Sequence, residues 1–425
     1  MNKPRNIASI DMGSSKFVCL VGQVVKDEND AESDVLNIAG ASSVESKGVK
    51  KGQVVNIEET VTALVSCVES AERMAGIDVT TAIVSVGGAS IISENSHGVV
   101  AISSADGEIT QKDSERVLES ASAIAVPDTR DIIHVIPKEY IVDGETGVKD
   151  PVGMSGVRLE VNTHMVTAAT AVAKNFKKAL SETGIEVSQF VYTGLAASCA
   201  VLTNTEKDLG SVLVDIGSGT TSIAVFTDGS LVHAAVIPIG ARNVTNDLAI
   251  GLRVTVETAE KIKLMLSEEK NKKVQSQDVM DLSEYGINEI KKVSKGTLSD
   301  GIIKPRLNEI FSMVRVELEK AGMASTVPSG AVITGGGAMT VGAIESAKRS
   351  LSMPVRLGVP ANIGGLSDDI LNPQYSVPIG LLLYRMQGLK DPAPGFPKFG
   401  LSDKIKLPHK GIFGNIVSSL KDLLP

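Results

Sequence analysis

Residues 212–221 read VLVDIGSGTT. An apolar run ends in Asp215, and Gly217, Ser218, Gly219, Thr220 and Thr221 follow. Glycines let a backbone approach a ligand closely and present amide donors without side-chain bulk. The hydroxyls of Ser218 and Thr220 add donors. A carboxylate at a strand end beside such a turn can orient a metal-bound water near phosphates. The chemistry this suits is the grip of a polyphosphate, with Mg²⁺ beside it.

Two strands must position these groups. The segment after the turn, TSIAVF, is β-rich and roughly alternating, which predicts a hairpin. A dinucleotide-binding turn would need a third glycine where Ser222 stands, and then a helix. No G-x-x-x-x-G-K-[ST] occurs in the chain, which excludes a P-loop. A lone D-x-G turn would read as ordinary turn chemistry. This one is repeated. Residues 7–21, IASIDMGSSKFVCLV, set Asp11, Gly13, Ser14 and Ser15 against Asp215, Gly217, Ser218 and Gly219, with Lys16 where the second copy has Thr220. A third segment, AVITGGGA at 331–338, is a strand running into Gly335, Gly336 and Gly337. The spacing of Val341, Ile344, Ala347 and Leu351 predicts a helix behind it, and a helix N-terminus after glycines suits an anion.

Together these segments resemble the actin, heat-shock-chaperone and sugar-kinase superfamily. Within it the chain is most similar to the FtsA family of bacterial cell-division proteins. The similarity runs over nearly all the chain and includes residues 194–226, AEKIK at 259–263 and IIKPRLNEI at 302–310. It implies an α/β, actin-like two-lobed ATPase fold, with a small α+β subdomain inserted in the first lobe and a C-terminal amphipathic helix. It implies ATP with Mg²⁺ as ligands. Asp11 and Asp215 would hold the metal's waters. Gly13 to Lys16 and Gly217 to Thr220 would bind phosphates, and Gly335 to Gly337 the adenosine end. Gly240 closes a strand beside the second hairpin. Glu260 and Lys263 lie three apart on one helical face and match the superfamily pair that reaches ribose and base. Residues 189–202, with GLAASCAVL, read as a small-residue helix, and actin and its bacterial cell-shape relative carry Gln or Glu near the start of the matching helix, to orient the attacking water. The alignment puts Thr193 there, with Gln189 a turn earlier. Thr is a weak substitute, so ATP binding with at most slow turnover is expected.

Composition agrees with such a body. The 425 residues are 43% hydrophobic, enough for about three domains of ordinary size. Aromatic content of 3%, no Trp, and a net charge of −8 argue against nucleic acid as a partner. Cys19, Cys67 and Cys199 form no CxxC and read as small core residues. The five histidines form no zinc motif. No apolar signal core precedes the first strand and no run of 18 apolar residues occurs, so a cytoplasmic body is expected.

In chain order, the expected division is a first-lobe core at 1–82 and 166–206, an insert at 83–165, and a second-lobe core at 207–245 and 328–388. A second-lobe subdomain takes 246–327, a linker 389–409 and an amphipathic membrane-targeting helix 410–425. The insert, with its helix near 111–126, carries no catalytic constellation. The resemblance assigns it contacts between protomers and with other division proteins. The helix from Pro305 to Lys320 puts Leu307, Ile310, Phe311, Val314 and Leu318 inward. In the family the matching Arg and Glu belong to the groove for the C-terminal peptide of the tubulin-like partner FtsZ. That implies Lys304, Arg306 and Glu309 as contacts for an acidic, apolar peptide.

At the C-terminus Ile412, Ile416, Leu420 and Leu424 recur every four residues. Phe413, Val417 and Leu423 widen that stripe. Asn415, Ser418, Ser419 and Asp422 face away, so the segment should lie in a membrane interface. Residues 389–425 carry six Lys and three Asp, which favours an anionic lipid surface. The expected function is a filament-forming tether of FtsZ to the cytoplasmic face of the membrane at the division site, recruiting later divisome proteins. The nearest alternative is a pilus-assembly actin-like scaffold. A sugar-kinase-type phosphotransferase would need a second-substrate pocket with a catalytic Asp. A chaperone ATPase would need a large domain after residue 388.

Overall fold

The structure is a computed structural model. It describes residues 5–26, 34–123, 126–271, 279–285, 292–361, 363–365 and 370–388. The expected linker and terminal helix lie outside the described residues, as do Ile412, Phe413, Ile416, Val417, Leu420, Leu423 and Leu424. No helix among the described residues is long and apolar enough to cross a membrane.

The chain opens with a three-stranded meander, β1 (Arg5–Met12), β2 (Lys16–Lys26) and β3 (Asp34–Glu45). A short hairpin, β4 (Val49–Lys50) and β5 (Gln53–Val54), leads to α1 (Ile57–Ala75). The Asn56 side chain caps α1 by accepting from Glu59 N–H, and Gly76 ends it at φ 66°. Its inner face buries Ala63, Leu64, Cys67, Val68 and Ala71. Full burial of one such leucine stabilises by about 1.5–3 kcal/mol. β6 (Thr81–Val86) then pairs parallel to β1.

The insert follows as β7 (Ile92–Ala101), α2 (Gln111–Ser122), β8 (Arg130–Val142), β9 (Glu145–Val148) and β10 (Arg158–Ala169). Its antiparallel sheet runs β7-β10-β8-β9, with a core of its own around Val117, Val135, Leu159 and Val161. The chain returns to the first lobe through α3 (Thr170–Glu182), β11 (Glu186–Tyr192) and α4 (Thr193–Val201). Gln189 therefore sits on a strand, not on the small-residue helix where the sequence reading put it.

After α5 (Asn204–Leu209) a second meander begins, β12 (Ser211–Ile216), β13 (Thr221–Thr227) and β14 (Ser230–Ile237). Next come α6 (Ala241–Leu252), α7 (Val256–Asn271), the small strands β15 (Val279–Asp281) and β16 (Lys292–Ser294), α8 (Lys295–Leu298) and α9 (Lys304–Lys320). α9 carries Pro305 in its first turn and buries Leu307, Ile310, Phe311, Val314 and Leu318, as its spacing predicts. β17 (Ala331–Thr334), α10 (Ala343–Leu351), β18 (Val355–Leu357), β19 (Gly364–Gly365) and α11 (Ser376–Met386) complete the described chain.

The two lobes share one topology. The first sheet runs β11-β6-β1-β2-β3-β19 and the second β18-β17-β12-β13-β14. In each, three antiparallel strands follow one another and two later strands add in parallel beside the first. This duplication is the two-lobed α/β architecture the resemblance implies. The lobes meet through α4 and α11. Gly380 of α11 lies so close to α4 that a Cβ there would collide with Ala196 O. A second tie is Tyr192, whose hydroxyl lies 2.8 Å from both Ile223 O and Ala235 O and accepts from Ile223 N–H at 3.1 Å. The insert also bridges the lobes. Ser93 Oγ exchanges hydrogen bonds with the Ala234 backbone at 2.7 and 3.0 Å, and Lys149 Nζ donates to Asp228 O at 2.7 Å.

Candidate functional site

Both hairpins have the same register. Met12 pairs with Phe17 and Ile216 with Thr221, so four residues form each tip. Gly13 and Gly217 turn the chain the same way: a Cβ on Gly13 would meet Lys16 O at 2.9 Å, and one on Gly217 would meet Thr220 O at 3.1 Å. The tips face each other. A Cβ on Gly219 would lie 2.9 Å from Ser14 Oγ. The structure therefore brings Asp11, Gly13, Ser14, Ser15 and Lys16 together with Asp215, Gly217, Ser218, Gly219 and Thr220.

Charge at this point is concentrated and poorly solvated. Burial pushes Asp215 up to about 7, and the Asp11 carboxylate opposite adds to the shift. Asp11 is also raised by burial, against a 2.6 Å hydrogen bond from Ser85 Oγ and the nearby Lys16 ammonium. Burial lowers Lys16 to about 8, opposed by Asp11. Its Nζ stacks 4.1 Å from the centre of the Tyr375 ring. Two carboxylates that resist ionising together favour a shared cation. Among the described residues no three His, Cys, Asp or Glu side chains form a ready-made metal cage. Mg²⁺ needs none, since it takes one or two carboxylates plus phosphate oxygens and water. The donor set and the glycine cradle fit a Mg²⁺-polyphosphate.

The third glycine segment closes the cradle. Gly335 has φ 83°, and a Cβ there would collide with Asp215 Oδ1 and Ile216 O. Gly337 packs equally closely on Ile216. Gly336 faces freer space, with Gln374 Cβ at 3.8 Å the nearest atom to an added Cβ. The glycines do not run straight into an α-helix. A 3-10 turn spans Gly336–Met339, Gly342 takes φ 84°, and α10 starts only at Ala343. The expected helix N-terminus thus stands one turn further from the glycines. Gly240 abuts the second hairpin tip, where Ala241 N–H and Arg242 N–H donate to Gly217 O and Ser218 O at 2.9 Å.

Glu260 and Lys263 do share a face, and they pair at 2.8 Å. Thr245 Oγ1 joins them, donating to Glu260 and lying 3.0 Å from Lys263 Nζ. Thr193 starts α4 with its Oγ1 2.8 Å from Ser222 Oγ, next to the second hairpin. Ser85, Thr245 and Tyr375 were missed in the sequence, since nothing local marks them.

The residues expected to hold a peptide divide. Arg306 donates to Asp247 from Nε at 2.6 Å and Nη2 at 3.0 Å, and also pairs with Glu309. Lys304 lies two positions away, roughly 200° around α9. It pairs with Asp300 at 2.9 Å and lines a cavity of about 160 Å³ with Val341 and Glu345. Arg306 and Lys304 thus serve different surfaces.

Paired glycine hairpins around facing aspartates, in two lobes of one topology, define the actin-like class of fold. Solved structures agree. The PilM–PilN type IV pilus biogenesis complex superposes with a TM-score of 0.63 at 14% identity, over 90% of this chain and 98% of that one. MreB5 of Spiroplasma citri bound to ADP gives 0.52 at 13% identity, over 90% and 97%. Sequence comparison is more specific. Residues 88–167 match the model of the SHS2 domain inserted in FtsA, and residues 212–380 match that of cell division protein FtsA. Cell division protein FtsA of Pseudomonas aeruginosa is 41% identical over 91% of this chain and 90% of its own length. Those of Bacillus subtilis and Escherichia coli are 37% and 35% identical, over 92% and 89% of this chain and 87% and 90% of their own lengths. The chain belongs to the FtsA family of cell-division proteins.

Proposed function

We propose that this chain binds ATP with Mg²⁺ between its two hairpins, and that the bound protein assembles into filaments that tether FtsZ to the membrane. The observation that carries the nucleotide part is the pair of hairpins in common register with Asp11 and Asp215 opposed. MreB5 structures bound to ADP and to AMPPNP have this fold. Asp11 and Asp215 hold the metal's waters. Gly13 to Lys16 and Gly217 to Thr220 hold phosphates, and Gly335 to Gly337 with Glu260 and Lys263 hold the nucleoside. Mg²⁺ supplies charge neutralisation on the phosphates. Thr193 lacks a carboxylate or amide to activate water, so turnover is slow.

The remaining roles rest on family membership. Residues 83–165 form an interaction subdomain between core segments 1–82 and 166–206. Residues 207–245 and 328–388 form the second core, and 246–327 the subdomain that carries α9. Arg306 and Glu309 receive the acidic FtsZ tail, and Lys304, expected to join them, stands on another face of α9. Arg306 is already paired, so the peptide binds by exchanging partners with Asp247 and Glu309. The stripe from Ile412 to Leu424 docks on anionic lipid at the cytoplasmic face of the division site, where later divisome proteins join. The test is co-sedimentation with anionic vesicles and FtsZ, with and without ATP·Mg²⁺. ATP-dependent recovery of both in the pellet is expected, and a pellet free of this chain under all conditions refutes the tether.

A further inference from the structure

Lys51 occupies a turn that ordinarily rejects its residue type. Val49 pairs with Val54 and Lys50 with Gln53, so Lys51 and Gly52 are the two central residues of the β4–β5 hairpin. Both have positive φ, 49° and 75°. Two-residue turns of that kind favour Asn-Gly, Asp-Gly or Gly-Gly. A lysine with positive φ is uncommon, and such outliers gather at ligand sites.

The surroundings supply a reason. Lys51 Cα lies 3.5 Å from where a Cβ on Gly219 would stand, on the tip of the second phosphate hairpin. Ser14 of the first hairpin lies against the same glycine. Glycines seat the turn from behind. A Cβ on Gly88 would meet Lys51 O at 2.7 Å, and one on Gly52 would meet Gly88 Cα at 2.8 Å. The hairpin is also tied to α1, since Val55 and Asn56 N–H both donate to Gly48 O, at 2.7 and 3.1 Å. Lys51 itself is exposed. A rigid turn therefore holds a cation on a flexible four-carbon stem beside both hairpin tips.

We propose that Lys51 is a specificity residue of the nucleotide site, its ammonium contacting the terminal phosphate of a nucleoside triphosphate. This rests on the nucleotide reading above. A diphosphate lacks that group, so Lys51 separates the two ligands. Through β5 the contact also couples the outermost phosphate to the start of α1.

The test measures Kd for ATP·Mg²⁺ and ADP·Mg²⁺ by competition with a fluorescent nucleotide. Lys51→Asn is the central variant, because Asn-Gly suits the turn and removes only the cation. It should weaken ATP·Mg²⁺ about tenfold and leave ADP·Mg²⁺ within about twofold, the scale of one charge-assisted contact. Lys51→Arg should keep the parent's preference, and Lys50→Asn should change neither affinity. Equal loss of both nucleotides in Lys51→Asn, or no loss of either, overturns the proposal. Thermal melting accompanies each variant, and Lys51→Gly repeats the comparison if the Asn variant melts early. A parent that binds neither nucleotide refutes the nucleotide reading itself, before any variant is compared.

Discussion

Asp11 and Asp215 occupy equivalent places in two hairpins: each faces the residue seven positions later, Val18 and Ser222. Burial raises the cost of ionising both, and the Asp11 carboxylate raises that of Asp215 further. The pair is the centre of the duplicated fold. Asp215→Asn removes one charge without changing shape. Mg²⁺-dependent ATP binding, measured by titration calorimetry, should weaken by at least about tenfold, consistent with loss of a charged contact. Unchanged affinity would remove Asp215 from the metal's surroundings.

Adjacent glycines should differ in their tolerance of alanine. Gly335→Ala forces a side chain onto Asp215 and Ile216 at φ 83°. It should destabilise by about 2 kcal/mol or more and lower the thermal midpoint. Gly336→Ala meets no atom closer than 3.8 Å and should melt near the parent.

Arg306 gives a two-sided test. Arg306→Glu sets three carboxylates together, with Asp247 and Glu309, and should abolish binding of the FtsZ tail peptide by fluorescence anisotropy. Asp247→Asn frees the guanidinium from its strongest partner. It should tighten peptide binding by roughly fivefold, the scale of about 1 kcal/mol. Weaker binding in that variant would mean Asp247 holds Arg306 in its binding geometry.

Acid should destabilise the fold through a buried histidine of the insert. His164 of β10 is 2% exposed, and its Nε2 has no hydrogen-bond partner among the described residues. Burial, with His233 and Lys138 adding to it, lowers it from the usual 6.5 to about 3. The unfolded chain therefore takes up a proton below pH 6.5 that the folded chain refuses until about pH 3. Stability falls with falling pH across that window, by at most about 1.4 kcal/mol per pH unit for one such group. His164→Gln should flatten the melting temperature between pH 6.5 and 4. A slope identical to the parent's would assign acid sensitivity elsewhere.

Leu420→Asp places a charge in the apolar stripe at 412–424. The variant should keep its ATP affinity and melting temperature and lose sedimentation with anionic vesicles. Full retention on vesicles would put the membrane contact outside that stripe.

The parts of the site that were legible are those encoded locally. A hairpin's register follows from a few consecutive residues, so Asp11 and Asp215 could be matched before any coordinates. The inner face of α9 followed from helical spacing. Partners distant in sequence were silent. Ser85 reaches Asp11 across 74 positions and Asp247 reaches Arg306 across 59, and neither residue type is unusual for its element. Gln189 was misread because a strand, EVSQFVY, runs directly into the small-residue helix with no polar break. The start of α10 was misplaced because Gly335 and Gly342 both take positive φ, which makes a 3-10 turn where continuous helix was expected.

The shared hydroxyl of Tyr192 has a mechanical consequence. Deep in the molecule, a first-lobe side chain hydrogen-bonds two second-lobe strands through one oxygen, and Thr193 beside it bonds across to Ser222. A body tethered at its axis moves least there and most at its rim. Small rotations that barely alter the floor of the cleft become large excursions at the outer faces, as on a long lever with a short inner arm.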